Sequence, residues 1–442
     1  MSDIEIVTDR TTFLETAAGA PPGARVPVEV RIPVTDPFRA YRRARNRNDD
    51  GFYLETTGGQ SGWGYFGVDP VERLQVGPSA TAWTAGETGA SAPSSVDGDS
   101  TAHERSAGES PAHESSRTGE GSPSIRAIEA LLERETLVRG DCAVPYPCGA
   151  VGWLSYDVAR ELEDLPATAR PTGLPRLQLG TYDTVAAWEE PFHDGGDVHV
   201  TSCPVVAEDA PEAYERGLAG AKHLAEAALT GPTHVGAEPT AGSTVTFESE
   251  AGERAFADRV RTVKEYVRDG DTFQTNVSHP LVAPATVDPV AIFDALRRVN
   301  PAPYSGLLEF PGVDLVSASP ELLLEVEGDR LLTEPIAGTR PRGETPADDE
   351  AFEADLTSDE KEAAEHAMLV DLERNDLGKV SDYGSVDVTE YRRVDRYSEV
   401  MHLVSLVEGR RRDGVSIADA VAAVFPGGTI TGAPKPRTME II

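Results

Sequence analysis

The alternation of apolar and polar residues divides the first half of the chain into short strand-like and helix-like segments. From Gly51 to Val76, aromatic and polar residues alternate around Gly58 and Gly59, which predicts a β-hairpin with a tight turn. Apolar periodicity predicts three further segments: a helix at 124–135, a buried strand at 150–156 and an alanine-rich helix at 207–229.

The second half repeats this mixture of short strands and helices. A helix is predicted from Ser249 to Asp269, ended by Gly270, and another begins at Asp288 as N-cap with Pro289 in the first helical position. Further segments are helices at 289–298, 358–375 and 416–424, and strands at 272–278, 305–309, 314–317 and 322–326. Because no regular βαβ rhythm appears, the fold class is α+β, with large mixed or antiparallel sheets flanked by helices.

Two polar stretches organise the chain. From about Gly77 to Pro123 the sequence is rich in Gly, Ser, Ala, Thr, Glu and Pro, and it has too few apolar residues to offset the entropy of ordering. We therefore predict a disordered insertion there. A second Gly/Pro/Thr stretch, residues 230–243, is the predicted connection between an N-terminal region, 1–240, and a C-terminal region, 241–442.

Composition excludes several classes of function. The formal net charge is −35 and the pI about 4.6, so polyanionic partners such as nucleic acid and anionic membranes are repelled. No apolar run reaches the ~20 residues of a membrane span. Three irregularly spaced cysteines favour a reducing cytoplasm. The acidic surface predicts adaptation to high salt, and lysine occurs only at Lys222, Lys264, Lys361, Lys379 and Lys435.

Glu362 and Glu365 are the first candidates for chemistry. They are three residues apart in a helix that Ser358 is expected to cap, so both carboxylates project from one face. A hard divalent cation such as Mg²⁺ accepts this arrangement and keeps positions for water and an anionic substrate. The alternative is an ordinary solvated face of an acidic helix.

A histidine and two glycine-rich segments complete the candidates. His402 lies in an apolar run between Met401 and Leu403, either as a core side chain or as a general acid or base. The two segments, 335–343 and 426–435, are predicted glycine turns in which backbone N–H groups approach an anion, or else ordinary loops. Thr339 and Lys435 add a hydroxyl and a cation. No phosphate-binding P-loop is present.

These motifs, in this order and spacing, resemble the chorismate-utilising enzyme family from about Gly270 to Ile442. The matching strings are GDTFQTN (270–276), NPAPYSG (300–306), SASPE (317–321), PIAGTRPRG (335–343), KEAAEHAMLVDLERNDLGKV (361–380), EVMHLVS (399–405) and PGGTITGAPKPRTMEII (426–442). The resemblance implies the fold of anthranilate synthase component I.

The resemblance also implies roles for individual residues. The metal is expected to be Mg²⁺, bound directly by Glu365 and directly or through water by Glu362. The expected catalytic residues are His402, Thr339, Glu321 and Gln274, and the expected substrate-binding residues are Gly338, Thr339, Ala337 and Lys435.

The implied reaction is displacement of the C4 hydroxyl of chorismate. Relatives that add water carry a lysine base where Gln274 stands, so ammonia is the expected nucleophile, supplied by a separate glutamine amidotransferase chain. Ala337 favours anthranilate as product, whereas Ser305 and the PGGTITGAPK string favour 4-amino-4-deoxychorismate, which is the product expected here. A non-catalytic regulatory or scaffold homologue is the alternative of another class.

Regulation and completeness are the last expectations from the resemblance. Glu55 and Thr56 resemble an element that binds inhibitory tryptophan, together with Tyr304 and Ser305. Thr56 and Ser305 depart from the residues of that element, and a plain edge strand is the favoured alternative. The resembling enzymes continue beyond the point that corresponds to Ile442 and supply further metal and substrate ligands there. A C-terminally incomplete catalytic region, with poor binding of Mg²⁺ and chorismate, is therefore expected.

Overall fold

Antiparallel sheets and helices make up the part of the chain that the computed structural model describes, which comprises residues 4–45, 50–57, 60–77, 81–85, 121–134, 136–166, 173–193, 195–207, 209–233 and 245–442. The strands are β1 Glu5–Ile6, β2 Val28–Pro33, β3 Gly51–Glu55, β4 Gly62–Val68, β5 Glu72–Val76, β6 Thr81–Ala85, β7 Gly149–Leu154, β8 Leu177–Tyr182, β9 Thr184–Glu190, β10 Asp197–Ser202, β11 Glu248–Ser249, β12 Leu281–Val282, β13 Tyr304–Phe310, β14 Val313–Ser319, β15 Glu325–Glu327, β16 Arg330–Thr333, β17 Ile336–Pro341, β18 Asp387–Arg396 and β19 Val400–Arg410.

The helices lie between and after these strands. They are α1 Arg10–Ala18, α2 Pro37–Ala44, α3 Pro123–Glu133, α4 Ala159–Leu162, α5 Ala210–Thr230, α6 Gly252–Asp269, α7 Pro289–Val299, α8 Pro346–Ser358, α9 Glu360–Gly378, α10 Ile417–Val424, α11 Gly428–Thr431 and α12 Lys435–Ile441. The predicted α+β class, with antiparallel sheets flanked by helices, is confirmed. No helix in the described ranges is long and apolar enough to cross a membrane.

An eight-stranded sheet forms the largest layer, in the order β1-β2-β10-β9-β4-β3-β13-β14. Its last two strands come from residues 304–319, beyond the predicted boundary near residue 240. Helix α7 packs on the same sheet through the buried side chain of Phe293. The centroid of its ring lies 5.4 Å from that of Phe38 and 5.6 Å from that of Tyr53. The sheet therefore does not end at that boundary.

A five-stranded sheet in the second half packs against helix α9, which contains the candidate metal ligands Glu362 and Glu365. Strand β19 lies at its centre and pairs with β16, β17 and β18. Helices α9 and α10 pack against this sheet. Their side chains Val370, Leu377 and Val424 are buried against Leu331 and Val407 of the strands. Apolar side chains thus fix the helix that contains Glu362 and Glu365 against the strand that contains His402.

A four-stranded sheet has the order β6-β5-β8-β7. Two of its strands differ from what the sequence of the first half of the chain predicts. Residues 81–85 pair with β5, so this part of the predicted insertion is ordered; threonine and tryptophan favour strands, and β5 offers an open edge. The rest of the predicted insertion up to residue 120 lies outside the described residues, as does the turn at 58–59. The predicted buried strand at 150–156 is an edge strand with partly exposed side chains.

Local capping signals were the most reliable guides to the helices. Asp288 accepts from the amide of Val290, as predicted. Ser416, the first residue of another predicted helix, caps α10 by accepting from the amide of Asp419. Ser358 was a wrong choice of cap, because its hydroxyl donates back to the Ala354 carbonyl in the last turn of α8. The adjacent Asp359 caps α9 instead and accepts from the amide of Glu362.

Candidate active site

A strand with a bulge, and not a glycine turn, carries the PIAGTRPRG segment. Strand β17 pairs with β19 so that Thr339 stands opposite His402, and the register shifts between Ala337 and Thr339. The bulged residue is Gly338, whose φ of +81° favours glycine. The bulge therefore directs a threonine hydroxyl and a peptide carbonyl toward the histidine.

The hydrogen bonds of His402 define its neutral tautomer. Its Nδ1 lies 3.0 Å from Thr339 Oγ1 and 3.2 Å from the Gly338 carbonyl oxygen. A carbonyl oxygen only accepts, so Nδ1 carries the proton and Nε2 has the free lone pair. Burial lowers the pKa of His402 below its usual value, partly opposed by the Gly338 carbonyl and by Asp395. The ring is thus neutral at neutral pH.

The carboxylates of α9 lie next to the same bulge. The Glu362 carboxylate is close to Gly338, because a Cβ on that glycine would be 3.3 Å from Glu362 Oε2. Arg340 Nη1 lies 3.6 Å from Glu362, and Lys361 Nζ lies 3.3 Å from Glu365. The two carboxylates are therefore compensated by cations, which is the condition that a bound metal ion would also fulfil.

The described ranges contain no cluster of three or more His, Cys, Asp or Glu side chains close enough to share one metal ion. Glu362 and Glu365 are the only predicted metal ligands, and both keep part of their side chain exposed, 18% and 29% respectively. A cation that takes one or two protein carboxylates and retains water fits this donor set.

Glu321 is tied to two elements of the site. It accepts a 2.6 Å hydrogen bond from Thr429 Oγ1, in the PGGTITGAPK segment, and a backbone hydrogen bond from Ile336 at the start of β17. Burial raises the pKa of Glu321 to about 7, more than these hydrogen bonds lower it. Close to neutral pH this carboxyl is thus partly protonated and can donate a proton.

Gln274 belongs to an irregular segment, and the strand predicted at 272–278 is absent. The backbone of this segment is held by the 426–435 segment instead: the Phe273 amide donates to the Ala433 carbonyl at 2.7 Å, and the Asn276 amide donates to the Thr431 carbonyl at 3.2 Å. Within the described chain, the buried Gln274 Oε1 has no hydrogen-bond partner. It is an acceptor available to a ligand with N–H donors.

Lys435, an expected substrate-binding residue, is engaged elsewhere. Its Nζ lies 2.5 Å from Asp376 Oδ2 and 2.9 Å from the Val424 carbonyl, and the residue is 7% exposed. Glu373, one turn before Asp376 on α9, is also buried, and burial raises its pKa to about 8. The structure thus places Lys435 in a buried cluster with two acidic side chains.

Stability should fall with rising pH because of Glu373. Its folded pKa of about 8 lies above the usual 4.5, so the folded state holds the proton more tightly, and this contribution is lost as the pH rises from 4.5 through 8. Urea titrations at pH 5 and pH 8 measure how much unfolding free energy the protein loses between these two pH values. In Glu373→Gln this loss should be smaller than in the unmodified protein, by an amount on the order of 3 kcal/mol. Glu350→Gln, at an exposed glutamate, controls for the loss of one carboxylate; equal slopes for both variants would contradict the assignment.

The candidate regulatory residues are brought together by strand pairing. Glu55 on β3 stands opposite Ser305 on β13. Glu55 is 1% exposed and binds the Arg297 guanidinium through both carboxylate oxygens, at 2.6 Å for the shortest contact. Thr56 donates to the Trp63 carbonyl at 3.3 Å, and Tyr304 donates to Glu334 at 3.0 Å. Ser305 donates to the Ala302 carbonyl at 2.9 Å, so each of the four side chains has a hydrogen-bond partner outside the group. Their regulatory role stays a prediction.

Four buried polar residues near the site were missed at the level of sequence. They are Glu334, His366, Glu373 and Asp376. The last two are three residues apart on α9, the same spacing as Glu362 and Glu365, and this signal could have revealed them. His366 directly follows Glu365, and burial lowers its pKa to about 4, so its ring is neutral.

Comparison with known proteins identifies the family. The sequence matches the family model of chorismate binding enzymes over residues 93–442. The chain belongs to the chorismate-binding enzyme family. Among similar proteins, anthranilate synthase component 1 3 of Haloarcula marismortui is 67% identical over 443 residues, which cover 100% of this chain and 81% of that relative.

Other members of the chorismate-binding enzyme family bear two different names. Anthranilate synthase component 1 of Thermus thermophilus is 43% identical over 71% of this chain and 66% of its own length. Aminodeoxychorismate synthase component 1 of Bacillus subtilis is 43% identical over 66% of this chain and 61% of its own length. Anthranilate synthase component I from Streptococcus pneumoniae superposes with a TM-score of 0.66 at 26% identity, covering 92% of this chain and 81% of that one. The resemblance inferred from the sequence motifs is confirmed.

Proposed function

We propose that this chorismate-binding enzyme converts chorismate and ammonia to anthranilate, pyruvate and water, in an Mg²⁺-dependent reaction. The observation that carries the choice of product is the 67% identity to a relative named anthranilate synthase component 1 over the whole chain, with a second Haloarcula marismortui relative of that name at 60%. The product expected from Ser305 and the PGGTITGAPK string, 4-amino-4-deoxychorismate, has weaker support, since the relative of that name is 43% identical.

Glu321 is the proton donor in this proposal. The hydroxyl at C4 of chorismate is a poor leaving group unless it receives a proton as the bond breaks. A carboxyl with a pKa of about 7 is partly protonated at neutral pH, whereas an ordinary glutamate is ionised. Thr429 fixes one oxygen of Glu321 at 2.6 Å and so sets the direction of the remaining carboxyl O–H.

His402 acts as a base or acceptor through Nε2. Its Nδ1–H is held by the Gly338 carbonyl and by Thr339 Oγ1, so the ring cannot turn without losing both contacts. The lowered pKa of His402 keeps the ring neutral, which makes it a poor proton donor but a competent acceptor. The Tyr397 ring packs beside the imidazole at a tilt of 57°, with ring centroids 5.6 Å apart.

Gln274 supports ammonia as the nucleophile. An amide cannot remove a proton from water, but its Oε1 can accept a hydrogen bond from a nucleophile that already has a lone pair. In the described chain this oxygen is buried and without a partner. An ammonia molecule would supply the missing donor. The proposal therefore includes a separate glutaminase chain as the source of ammonia.

Glu362 and Glu365 are the residues that would hold Mg²⁺. Their hard oxygen donors suit this ion. Arg340 and Lys361 lie 3.6 Å and 3.3 Å from the two carboxylates, so this part of the site already places positive charge beside them. When bound, the ion would neutralise a carboxylate of the dianionic substrate and orient it. Proton transfer and hydrogen bonding are left to Glu321, His402 and Gln274.

Replacing Gly338 with alanine should weaken the use of Mg²⁺. A Cβ would stand 3.1 Å from Leu356 and 3.3 Å from Glu362 Oε2, so the carboxylate has to move. We expect the Mg²⁺ concentration at half-maximal turnover to rise by about tenfold, and the positive φ to cost about 1–2 kcal/mol of stability. Gly384→Ala is the matched control, since Gly384 has φ +79° and no atom within 4 Å of its Cβ position. If both variants shift the Mg²⁺ requirement equally, the clash with Glu362 is not the cause.

The product of the reaction tests the proposal directly. Purified protein is incubated with chorismate, ammonium and Mg²⁺, and the products are separated by chromatography with fluorescence detection. Anthranilate formed without any added lyase supports the proposal. If p-aminobenzoate forms only after aminodeoxychorismate lyase is added, the product is 4-amino-4-deoxychorismate and the proposal of anthranilate is wrong.

Substitution of a proposed metal ligand distinguishes an enzyme from a scaffold protein without catalytic activity. Glu365→Ala should lower chorismate consumption by about 100-fold or more, because one of the two proposed ligands is lost. Glu360→Ala, at an exposed glutamate of the same helix, should leave consumption within about twofold of the unmodified protein. If the unmodified protein consumes no chorismate at any Mg²⁺ concentration, even with chorismate in large excess to offset the weak binding expected for residues 1–442, the enzymatic proposal fails and the scaffold alternative gains support.

A further inference from the structure

His366 joins the helix of the proposed metal ligands to the strand of His402. The imidazole is fully buried on α9, and its Nε2 lies 2.6 Å from the Ser405 hydroxyl on β19. The same hydroxyl lies 3.0 Å from the amide nitrogen of Arg392 on β18. One serine oxygen therefore connects α9, β18 and β19 at a point three residues from His402.

Three groups meet at the Ser405 hydroxyl. The Arg392 N–H can only donate, so the Ser405 oxygen accepts from it. The hydroxyl keeps a second lone pair and its own proton, so it can pair with either neutral tautomer of His366, by accepting from Nε2–H or by donating to Nε2. Nδ1 forms no hydrogen bond of normal geometry within the described chain, and the backbone group that interacts with the ring is that of Ala337, next to the Gly338 bulge.

Packing alone does not account for this arrangement. His366 and Ser405 are both fully buried, and burying polar groups is unfavourable unless they bond to each other. Arg392 has a φ of +58°, a left-handed conformation that a non-glycine residue adopts at a cost in free energy, and in it the amide reaches the serine. An apolar pair would fill the same space without these costs.

We propose that His366 is a positioning residue, which holds Glu362 and Glu365 at a fixed distance from the Thr339–His402 pair by its bond to Ser405. This inference rests on the proposed function, since it concerns the same site. Helix α9 carries the carboxylates and β19 carries the histidine, and the His366–Ser405 bond joins these two elements inside the core. A shift of about 1 Å between reacting groups is enough to lower the rate by about 100-fold.

Matched variants separate the position of the bond from its contribution to stability. His366→Gln places an amide near the position of Nε2 and should keep kcat within about threefold of the unmodified protein. The amide of His366→Asn reaches only the position of Nδ1, so kcat of this variant should fall by more than about threefold. His366→Leu and Ser405→Ala should each lower kcat by about 100-fold, with the KM for chorismate changed less than about threefold. His223→Gln, at an exposed histidine on α5, controls for the loss of an imidazole.

The double variant His366→Leu with Ser405→Ala provides the decisive comparison. It leaves neither side chain as an unpaired polar group, so its denaturation midpoint should lie above that of Ser405→Ala, in which the buried His366 ring has lost its partner. The Arg392 amide loses its acceptor equally in these two variants. Its kcat should nevertheless stay about 100-fold below that of the unmodified protein. Recovery of kcat together with stability would overturn the proposal, because the bond would then be merely structural.

A measurement without chorismate keeps this inference separate from the proposed function. The ring ¹⁵N signals of His402 report its tautomer and its hydrogen bond to Thr339. Ser405→Ala and His366→Leu should shift these signals, and His366→Gln and His223→Gln should leave them unchanged. If the signals shift as expected but the unmodified protein makes no aminated product, the proposed function fails and the positioning role stands. Unchanged His402 signals in Ser405→Ala and His366→Leu would overturn the positioning role whatever the activity.

Discussion

Replacing Glu321 with glutamine should lower kcat for chorismate amination by about 10²–10⁴-fold, the usual contribution of a general acid. Glutamine has nearly the same shape and can still accept from Thr429, so binding should change little. It cannot release a proton to the departing hydroxyl. The loss should therefore appear in kcat, with the KM for chorismate and the denaturation midpoint close to those of the unmodified protein.

The pH dependence gives this expectation its sharpest form. Because a proton donor has to be protonated, kcat of the unmodified protein should fall as the pH rises through about 7, the pKa to which burial raises Glu321. The residual activity of Glu321→Gln should lack this alkaline decline. Glu334→Gln is the matched control: Glu334 is also buried, but Tyr304 and Arg393 bind its two oxygens. An equal loss in both variants, with the alkaline decline retained in Glu321→Gln, would assign the proton donor elsewhere.

Lys435→Met should give the largest loss of stability, about 3 kcal/mol. The buried ammonium is 2.5 Å from Asp376, which is itself 2% exposed, and without it a buried carboxylate loses its closest cation. Lys379 also contacts Asp376, at 2.8 Å, but its side chain is 45% exposed. The Lys379 contact limits the loss without replacing the buried ion pair.

Urea titration of three variants tests this expectation. Lys379→Met removes the exposed partner of the same carboxylate and should cost less than about 1 kcal/mol. Combining Lys435→Met with Asp376→Leu removes both buried charges and should recover most of the lost stability. Equal losses in Lys435→Met and Lys379→Met would show that burial of Lys435 does not determine the strength of its ion pair.

Elements with local signals were predicted well from the sequence. Helix α7 has Asp288 and Pro289 at its start, and α10 has the Ser416 cap, so a few neighbouring residues specify where each helix begins. Around His402 the sequence indicated an apolar run, and in the strand found there buried Met401 and Leu403 flank a less buried histidine. The family was recognised from the order of motifs, which carries more information than any single residue.

Features that depend on distant partners were not predictable in the same way. The ion pair of Lys435 joins residues 59 positions apart, and the sequence shows only a lysine after a glycine-rich segment. Likewise, the 335–343 segment looks like a turn because of its glycine and prolines, yet pairing with β19 makes it a strand with one bulge. The 272–278 segment has strand-forming residues but no neighbouring strand, and the backbone of residues 431–433 holds it instead.

The shared eight-stranded sheet limits how this enzyme can be rearranged by recombination. Strand β3 pairs along five positions with β13, and β14, the next strand, ends at Ser319, two residues before Glu321. A gene fusion that joined residues 241–442 to an unrelated N-terminal partner would leave β13 with an open edge and Phe293 without the aromatic side chains around it. The two halves therefore depend on the same sheet, and a substitution in β3 or α2 alters the packing of β13 and β14, the strands that precede the proposed proton donor Glu321.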